Sequence, residues 1–149
     1  MIYRLYRTQV LAAPLQEVWT FFSDPSNLCD ITPEWLGFTM TCPRPEHTYA
    51  GQILTYSVRP FPGMRLQWVT EITHMAPPHF FVDEQRTGPY RLWHHEHRFR
   101  KVESGTEAED LVHYILPLGV VGRLVHPMIR KRLEAIFDFR ASALKHRFS

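Results

Sequence analysis

Cysteine is nearly missing from this sequence: Cys29 and Cys42 are the only two among 149 residues. They share no C-x-x-C spacing and are too sparse for a disulfide scaffold. A cysteine-based structural zinc site is therefore not expected, and reduced thiols in a cytoplasmic protein are the simplest reading. Long apolar runs are missing as well. No stretch of about 18 apolar residues occurs, which excludes a membrane-spanning helix. The N-terminal MIYRLYRTQVL alternates polar and apolar residues, without the continuous apolar core of a signal peptide. Charge of one sign is also lacking, since 17 Lys and Arg stand against 15 Asp and Glu, a net charge of +2. The basic cluster Arg130-Lys131-Arg132 reads as a solvated helix face, and neither a nucleic-acid nor a membrane partner is expected.

Apolar material is what the chain has. At 44% hydrophobic and 13% aromatic residues it can offset its conformational entropy, which excludes disorder, and its length suits one domain over residues 1–149 with a single core.

Residues 2–11 read as a strand ending at Ala12-Ala13-Pro14. Pro14 suits the first turn of a following helix, in which Val18, Phe21 and Phe22 make a narrow apolar stripe. Ser23-Asp24-Pro25-Ser26-Asn27 closes it and can cap a short helix from Leu28 to Ile31. From Gly37 the vocabulary changes to GFTMTC, GQILTYSVRP, MRLQWVTEITHM, HFFVDEQR, YRLWHHEHRFRKV and EDLVHYIL, six β-like runs separated by short connections rich in Gly and Pro. Six in succession predict an antiparallel meander. The last segment turns to the helical period: Val121, Leu124, Val125, Met128, Leu133, Ile136, Phe137 and Leu144 approximate one apolar stripe. Pro127 interrupts this helix and predicts either a kink or a start after it. The fold class is α+β, with a strongly curved antiparallel sheet of about seven strands wrapped around the long C-terminal helix and two short helices after the first strand.

That order of elements is the helix-grip architecture. Pro14 to Phe22, Asn27-Leu28, Ile31-Thr32-Pro33, Trp35-Leu36-Gly37-Phe38, Phe81-Val82-Asp83-Glu84-Gln85, GPYRLWHHEHRF and Leu116-Pro117-Leu118-Gly119 go further. In these stretches the chain resembles the START-like, or SRPBCC, superfamily of ligand-binding, polyketide cyclase/dehydrase and lipid-transfer proteins, and within it a bacterial branch described as ligand-binding or cyclase/dehydrase-like. The resemblance covers essentially the whole chain. It implies a deep cavity between sheet and helix and a small hydrophobic or aromatic ligand, with no cofactor. Some relatives of the branch are fused to an NAD-dependent epimerase-like domain, which implies a separate epimerase-like protein as an interaction partner, since this chain is too short to contain that domain.

The stretch Gly88-Pro89-Tyr90-Arg91-Leu92-Trp93-His94-His95-Glu96-His97-Arg98-Phe99 places three histidines and a glutamate in four consecutive positions. On a strand, alternate residues share a face. Trp93, His95, His97 and Phe99 then face the helix, while His94 and Glu96 point away. A two-residue hairpin at Gly105-Thr106 pairs His97 with Tyr114 and Phe99 with Val112; a three-residue loop at Thr87-Gly88-Pro89 pairs Asp83 with Trp93 and Phe81 with His95. A slip of one residue would turn every side chain over.

Three chemistries suit such a pair of imidazoles. An HxH pair on a strand with Asp83 from its neighbour is a zinc arrangement, but no second histidine motif supports it and the resembling superfamily is not generally metal-dependent, so no metal is expected. General acid/base catalysis by His95 or His97, oriented by Tyr114 or Asp83, would make the chain a cofactor-independent cyclase, dehydrase or isomerase. The third reading, in which the histidines orient a bound ligand without transforming it, is the one adopted. No catalytic residue is assigned. The ligand-binding set is Trp68, Phe81, Asp83, Trp93, His95, His97 and Tyr114 from the sheet, with Val125 and Met128 from the helix.

Overall fold

The structure, a computed structural model, describes residues Met1–Ser149. Strand β1 (Tyr3–Leu11) leads into helix α1 (Leu15–Phe22), which buries Val18, Trp19 and Phe21. Two 3-10 turns follow, Pro25–Ile31 and Glu34–Leu36. The Asp24 carboxylate caps the first by accepting from the Ser26 backbone N–H at 3.0 Å. This element therefore starts at Pro25, earlier than the expected Leu28, and a third short turn is added to the two anticipated.

The remaining strands are β2 (Thr39–Met40), β3 (Ile53–Phe61), β4 (Met64–Ala76), β5 (Phe80–Thr87), β6 (Leu92–Val102) and β7 (Gly105–Ile115), followed by helix α2 (Gly119–Arg147). They form one antiparallel seven-stranded sheet in the order β1-β7-β6-β5-β4-β3-β2. The meander and the terminal helix are those expected of the helix-grip class. Register irregularities within β3 and β4 mark bulges, which bend a sheet and increase its twist. No helix is long and apolar enough to cross a membrane.

Both hairpin registers differ from expectation. The turn between β6 and β7 is Glu103-Ser104, so His97 faces Asp110 and Phe99 faces Ala108, while Tyr114 lies opposite Trp93. Between β5 and β6, Asp83 faces His95 and Phe81 faces His97. There the Gln85 side chain bridges the connection, donating to the Tyr90 carbonyl at 2.6 Å and accepting from the Tyr90 N–H at 3.1 Å. That bridge makes the loop longer than a tight three-residue turn. Both slips are even, so every side chain keeps its face.

Helix α2 begins at Gly119 and runs through Pro127, so the start after proline does not occur. Its apolar stripe is only partly used. Leu133, Phe137 and Leu144 are buried, but Leu124 is 76% exposed and Met128 49%. The first turns stand over an opening instead of packing on the sheet. Apolar packing is accordingly divided among three clusters: Phe21, Ile31 and Phe81 with α1; Trp93, Leu133 and Phe137 under α2; Leu54, Tyr56 and Ile72 on β3 and β4. All nine of these residues also line one cavity that separates the clusters.

Candidate functional site

The cavity has a volume of about 530 Å³, and 27 of its 43 lining residues are hydrophobic. That size suits a small organic ligand. Trp35, Met64, Leu118, Val121 and Val125 surround its mouth, each on the wall and each substantially exposed. Tyr56 and Tyr90 add phenols to the wall, and burial pushes both up, which keeps them protonated.

The polar part of the wall comes from the two-residue period of β5 and β6 and from one helix position. Asp83, His95, His97 and Arg140 all line the cavity, and Asp110 stands beside them on β7. The two imidazoles are 3.8 Å apart between ring centres, with His97 stacked on Phe81 at 4.0 Å. Each pairs diagonally with the carboxylate that does not stand opposite it. His97 Nε2 is 2.6 Å from Asp83 Oδ2, and His95 Nε2 is 2.7 Å from Asp110 Oδ1. The other ring nitrogens come within reach of the remaining acid: His95 Nδ1 is 3.8 Å from Asp83 Oδ2 and His97 Nδ1 is 3.5 Å from Asp110 Oδ1. Arg140 Nη1 approaches the same Asp110 oxygen at 3.7 Å.

Electrostatics follow from this ring of groups. Burial alone would raise the Asp83 carboxyl, but the His95 and His97 imidazoles and the Arg140 guanidinium outweigh it and hold the group below its ordinary value. Asp110 is lowered by the same opposition, with the His95 hydrogen bond and charge as the main counterweight to burial. Burial pushes His97 down, and the neighbouring His95 adds to that, against the pull of both carboxylates. With Asp83 ionised, the short contact requires Nε2–H of His97 to donate to it. His97 Nδ1 then has no hydrogen-bond partner, and neither do Nε and Nη1 of the buried Arg140.

Of the residues anticipated from the sequence, Trp68, Phe81, Asp83, Trp93, His95, His97 and Val125 do stand on the cavity wall. Tyr114 and Met128 do not. Tyr114 is fully buried behind the wall, opposite Trp93, where its hydroxyl shares a 2.9 Å hydrogen bond with His126 Nε2. Met128, on helix α2, is about half exposed. Two residues of the polar cluster were missed, Asp110 and Arg140. Both carried a signal. Asp110 interrupts the apolar phase Ala108, Val112, Tyr114 of β7, and Arg140 sits among Leu133, Phe137 and Leu144 at spacings that keep it on the buried stripe. On the opposite face of the sheet, His94 pairs with Glu84 at 2.6 Å, away from the cavity.

Residues 11–139 match the family model described as polyketide cyclase / dehydrase and lipid transport. The chain belongs to that family. Among solved structures, the Zhui aromatase/cyclase from Streptomyces sp. is similar to this polyketide cyclase/dehydrase family member with a TM-score of 0.77 and 17% identity, over 99% of this chain and 93% of that one. Protein Ms6760 from Mycobacterium smegmatis is similar with a TM-score of 0.63 and 20% identity, over 97% of this chain and 92% of that one. The di-domain ARO/CYC protein BexL is similar with a TM-score of 0.64 and 19% identity, over 97% of this chain and 50% of that one. At these identities the likeness is one of fold. No curated protein matches the chain in sequence.

Proposed function

We propose that this family member binds a small, largely apolar molecule carrying an oxygen function. Its apolar body would fill the cavity and its carbonyl, hydroxyl or carboxylate oxygen would meet Arg140. The observation that supports this reading is the unpartnered Nε and Nη1 of Arg140, a side chain 9% exposed, in the wall of an otherwise apolar cavity of about 530 Å³. Buried donors without acceptors cost free energy, which a ligand oxygen would recover. Burying about 200 Å² of apolar ligand surface contributes about 5 kcal/mol before the costs of association.

Titration of 2-naphthol, 2-naphthoate and dodecanol against the whole chain by calorimetry tests the reading. Micromolar binding of at least one is the expected result, and affinities no better than millimolar for all three would sink it. Leu54, a buried wall residue on β3, supplies the control. Leu54→Trp is expected to fill part of the cavity and weaken binding by about tenfold or more, at a stability cost of about 1–3 kcal/mol for overpacking.

A second reading, a cyclase, dehydrase or isomerase working by general acid/base catalysis, is favoured by one feature: Asp83 orients His97, whose Nε2 it holds at 2.6 Å. Solvent deuterium exchange into the methyl group of 2-acetylnaphthalene, followed by NMR, reads this chemistry directly. If His97→Gln stops exchange while ligand affinity stays within about threefold, the enzyme reading stands; if exchange never exceeds the buffer rate, the chain only binds.

A further inference from the structure

The crossed pairing of two acids and two imidazoles has a property that neither ligand orientation nor proton transfer requires. Every ring nitrogen of His95 and His97 faces a carboxylate oxygen, and the four contacts sort into an inner set and an outer set. On the inner side, Asp83 Oδ2 is 2.6 Å from His97 Nε2 and 3.8 Å from His95 Nδ1. On the outer side, Asp110 Oδ1 is 2.7 Å from His95 Nε2 and 3.5 Å from His97 Nδ1. One oxygen of Asp110 thus addresses the far nitrogen of both rings.

We propose that Asp83, His95 and His97 form a binding site for one divalent transition-metal ion, with Asp110 as the carboxylate that orients both imidazoles. The ligand atoms would be Asp83 Oδ2, His95 Nδ1 and His97 Nε2. The donor atoms these three residues offer lie within 4.8 Å of one another. Tetrahedral zinc at bond lengths of about 2.0–2.2 Å sets its ligand atoms about 3.3 Å apart, between the 2.6 and 3.8 Å observed.

The second carboxylate is what distinguishes this arrangement from a histidine pair that is merely satisfied. Imidazoles that ligate a metal through one nitrogen donate the other N–H to a carboxylate or carbonyl, which fixes tautomer and ring orientation. His95 already does so, through Nε2 to Asp110. His97 is arranged to follow: its Nδ1 is buried and has no hydrogen-bond partner, and it lies 3.5 Å from the same oxygen. When the ion takes Nε2, the proton held there moves to Nδ1 and gains Asp110 as acceptor. The ring then has no orphaned nitrogen and loses no proton.

Charge and access agree with this. Two carboxylates, Asp83 and Asp110, face the single guanidinium of Arg140, and Arg140 is placed against the outer acid, at 3.7 Å from Asp110. Asp83 is left as the inner anion with no cationic side chain at hydrogen-bonding distance. All three ligating residues line the cavity, so the open coordination positions of the ion would face the space that takes a ligand, and a ligand oxygen could complete the shell. Metal binding does not depend on the organic ligand and is tested without one.

The experiment is calorimetric titration of ZnCl2 into the chelator-stripped, dialysed whole chain, with Co²⁺ absorption spectra on the same material. One ion per chain at micromolar affinity or tighter is expected, with Co²⁺ bands of a nitrogen- and oxygen-ligated ion and no thiolate charge-transfer band from Cys29 or Cys42. Asp110→Asn is expected to weaken Zn²⁺ affinity by about 10–100-fold, as loss of an orienting partner does. His95→Gln and His97→Gln, checked for folding by circular dichroism, are each expected to abolish 1:1 binding. Absence of saturable binding at 100 μM Zn²⁺, a thiolate band with Co²⁺, or unchanged affinity in folded His97→Gln would each overturn the proposal. The Co²⁺ spectrum of the unmodified chain keeps the test decisive if the substituted chains do not fold.

Discussion

Phe137→Ala is expected to lower the unfolding free energy by about 3–5 kcal/mol, the cost of deleting a buried phenyl ring and leaving its space behind. Phe137 is 4% exposed, and it joins helix α2 to the polar cluster. Its ring lies 5.8 Å from the His95 imidazole, and the Arg140 guanidinium stands 4.7 Å over its face. The substitution therefore removes packing against Leu133 and Trp93, a cation–π contact, and the apolar screen between the helix and the acids. Urea unfolding followed by tryptophan fluorescence measures the loss. A fall in midpoint with unchanged slope is the expected pattern. A loss below about 1 kcal/mol would mean that the enlarged cavity collapses around the missing ring.

Gly105→Ala is expected to have the second largest effect, a loss of about 3 kcal/mol or more, although it removes nothing and adds one methyl group. Gly105 has φ +143°, a conformation that side chains rarely adopt, and a Cβ built there would lie 2.0 Å from the Leu11 carbonyl oxygen. The obstacle is backbone, so β1 itself would have to move. Leu11 is 1% exposed and Thr106 is completely buried, with its hydroxyl donating to the Ala13 carbonyl at 2.8 Å. The strain thus falls on the point where β1, the start of α1 and the β6–β7 hairpin meet. The same denaturation experiment reads it. Near-wild-type stability would show that β1 accommodates the methyl group by sliding along β7.

Gly105 also shows why the sheet was legible in the sequence while its registers were not. The period of two in Trp93, His95, His97 and Phe99 requires only that the strand be half-buried, and it holds in β6 from Leu92 to Arg100. The choice of turn residues depends on local geometry: glycine at 105 looks like the centre of a hairpin, but it is the first residue of β7, required there by its closeness to Leu11. Placing the turn two residues late shifts the pairing by four. The histidines still face the cavity, yet the residue opposite His97 changes from Tyr114 to Asp110, so the second acid of the site was missed. The tyrosine expected there is fully buried behind the wall. Met128 erred differently. A helical stripe marks residues able to be buried, but the first turns of α2 overhang the cavity mouth, so helical period alone does not say which of them meet the sheet. Arg140 could have been read: an arginine in step with Leu133, Phe137 and Leu144 is a charge on a buried stripe, and such a charge needs a partner.

The pairing of β1 with β7 bears on how the chain reaches this structure. Every other strand pair in the sheet joins neighbours in sequence, so the meander from β2 to β7 can assemble hairpin by hairpin. β1 alone must find a partner across the whole of it: Tyr6, which donates to Glu109 at 3.1 Å, is separated from it by 103 positions. Closing so long a loop costs more entropy than closing any hairpin, and contacts of this separation slow folding. β1 is accordingly expected to dock last. Until it does, the unpaired edge of β7 is exposed, and the interval before docking is when a second chain can most readily add a strand there.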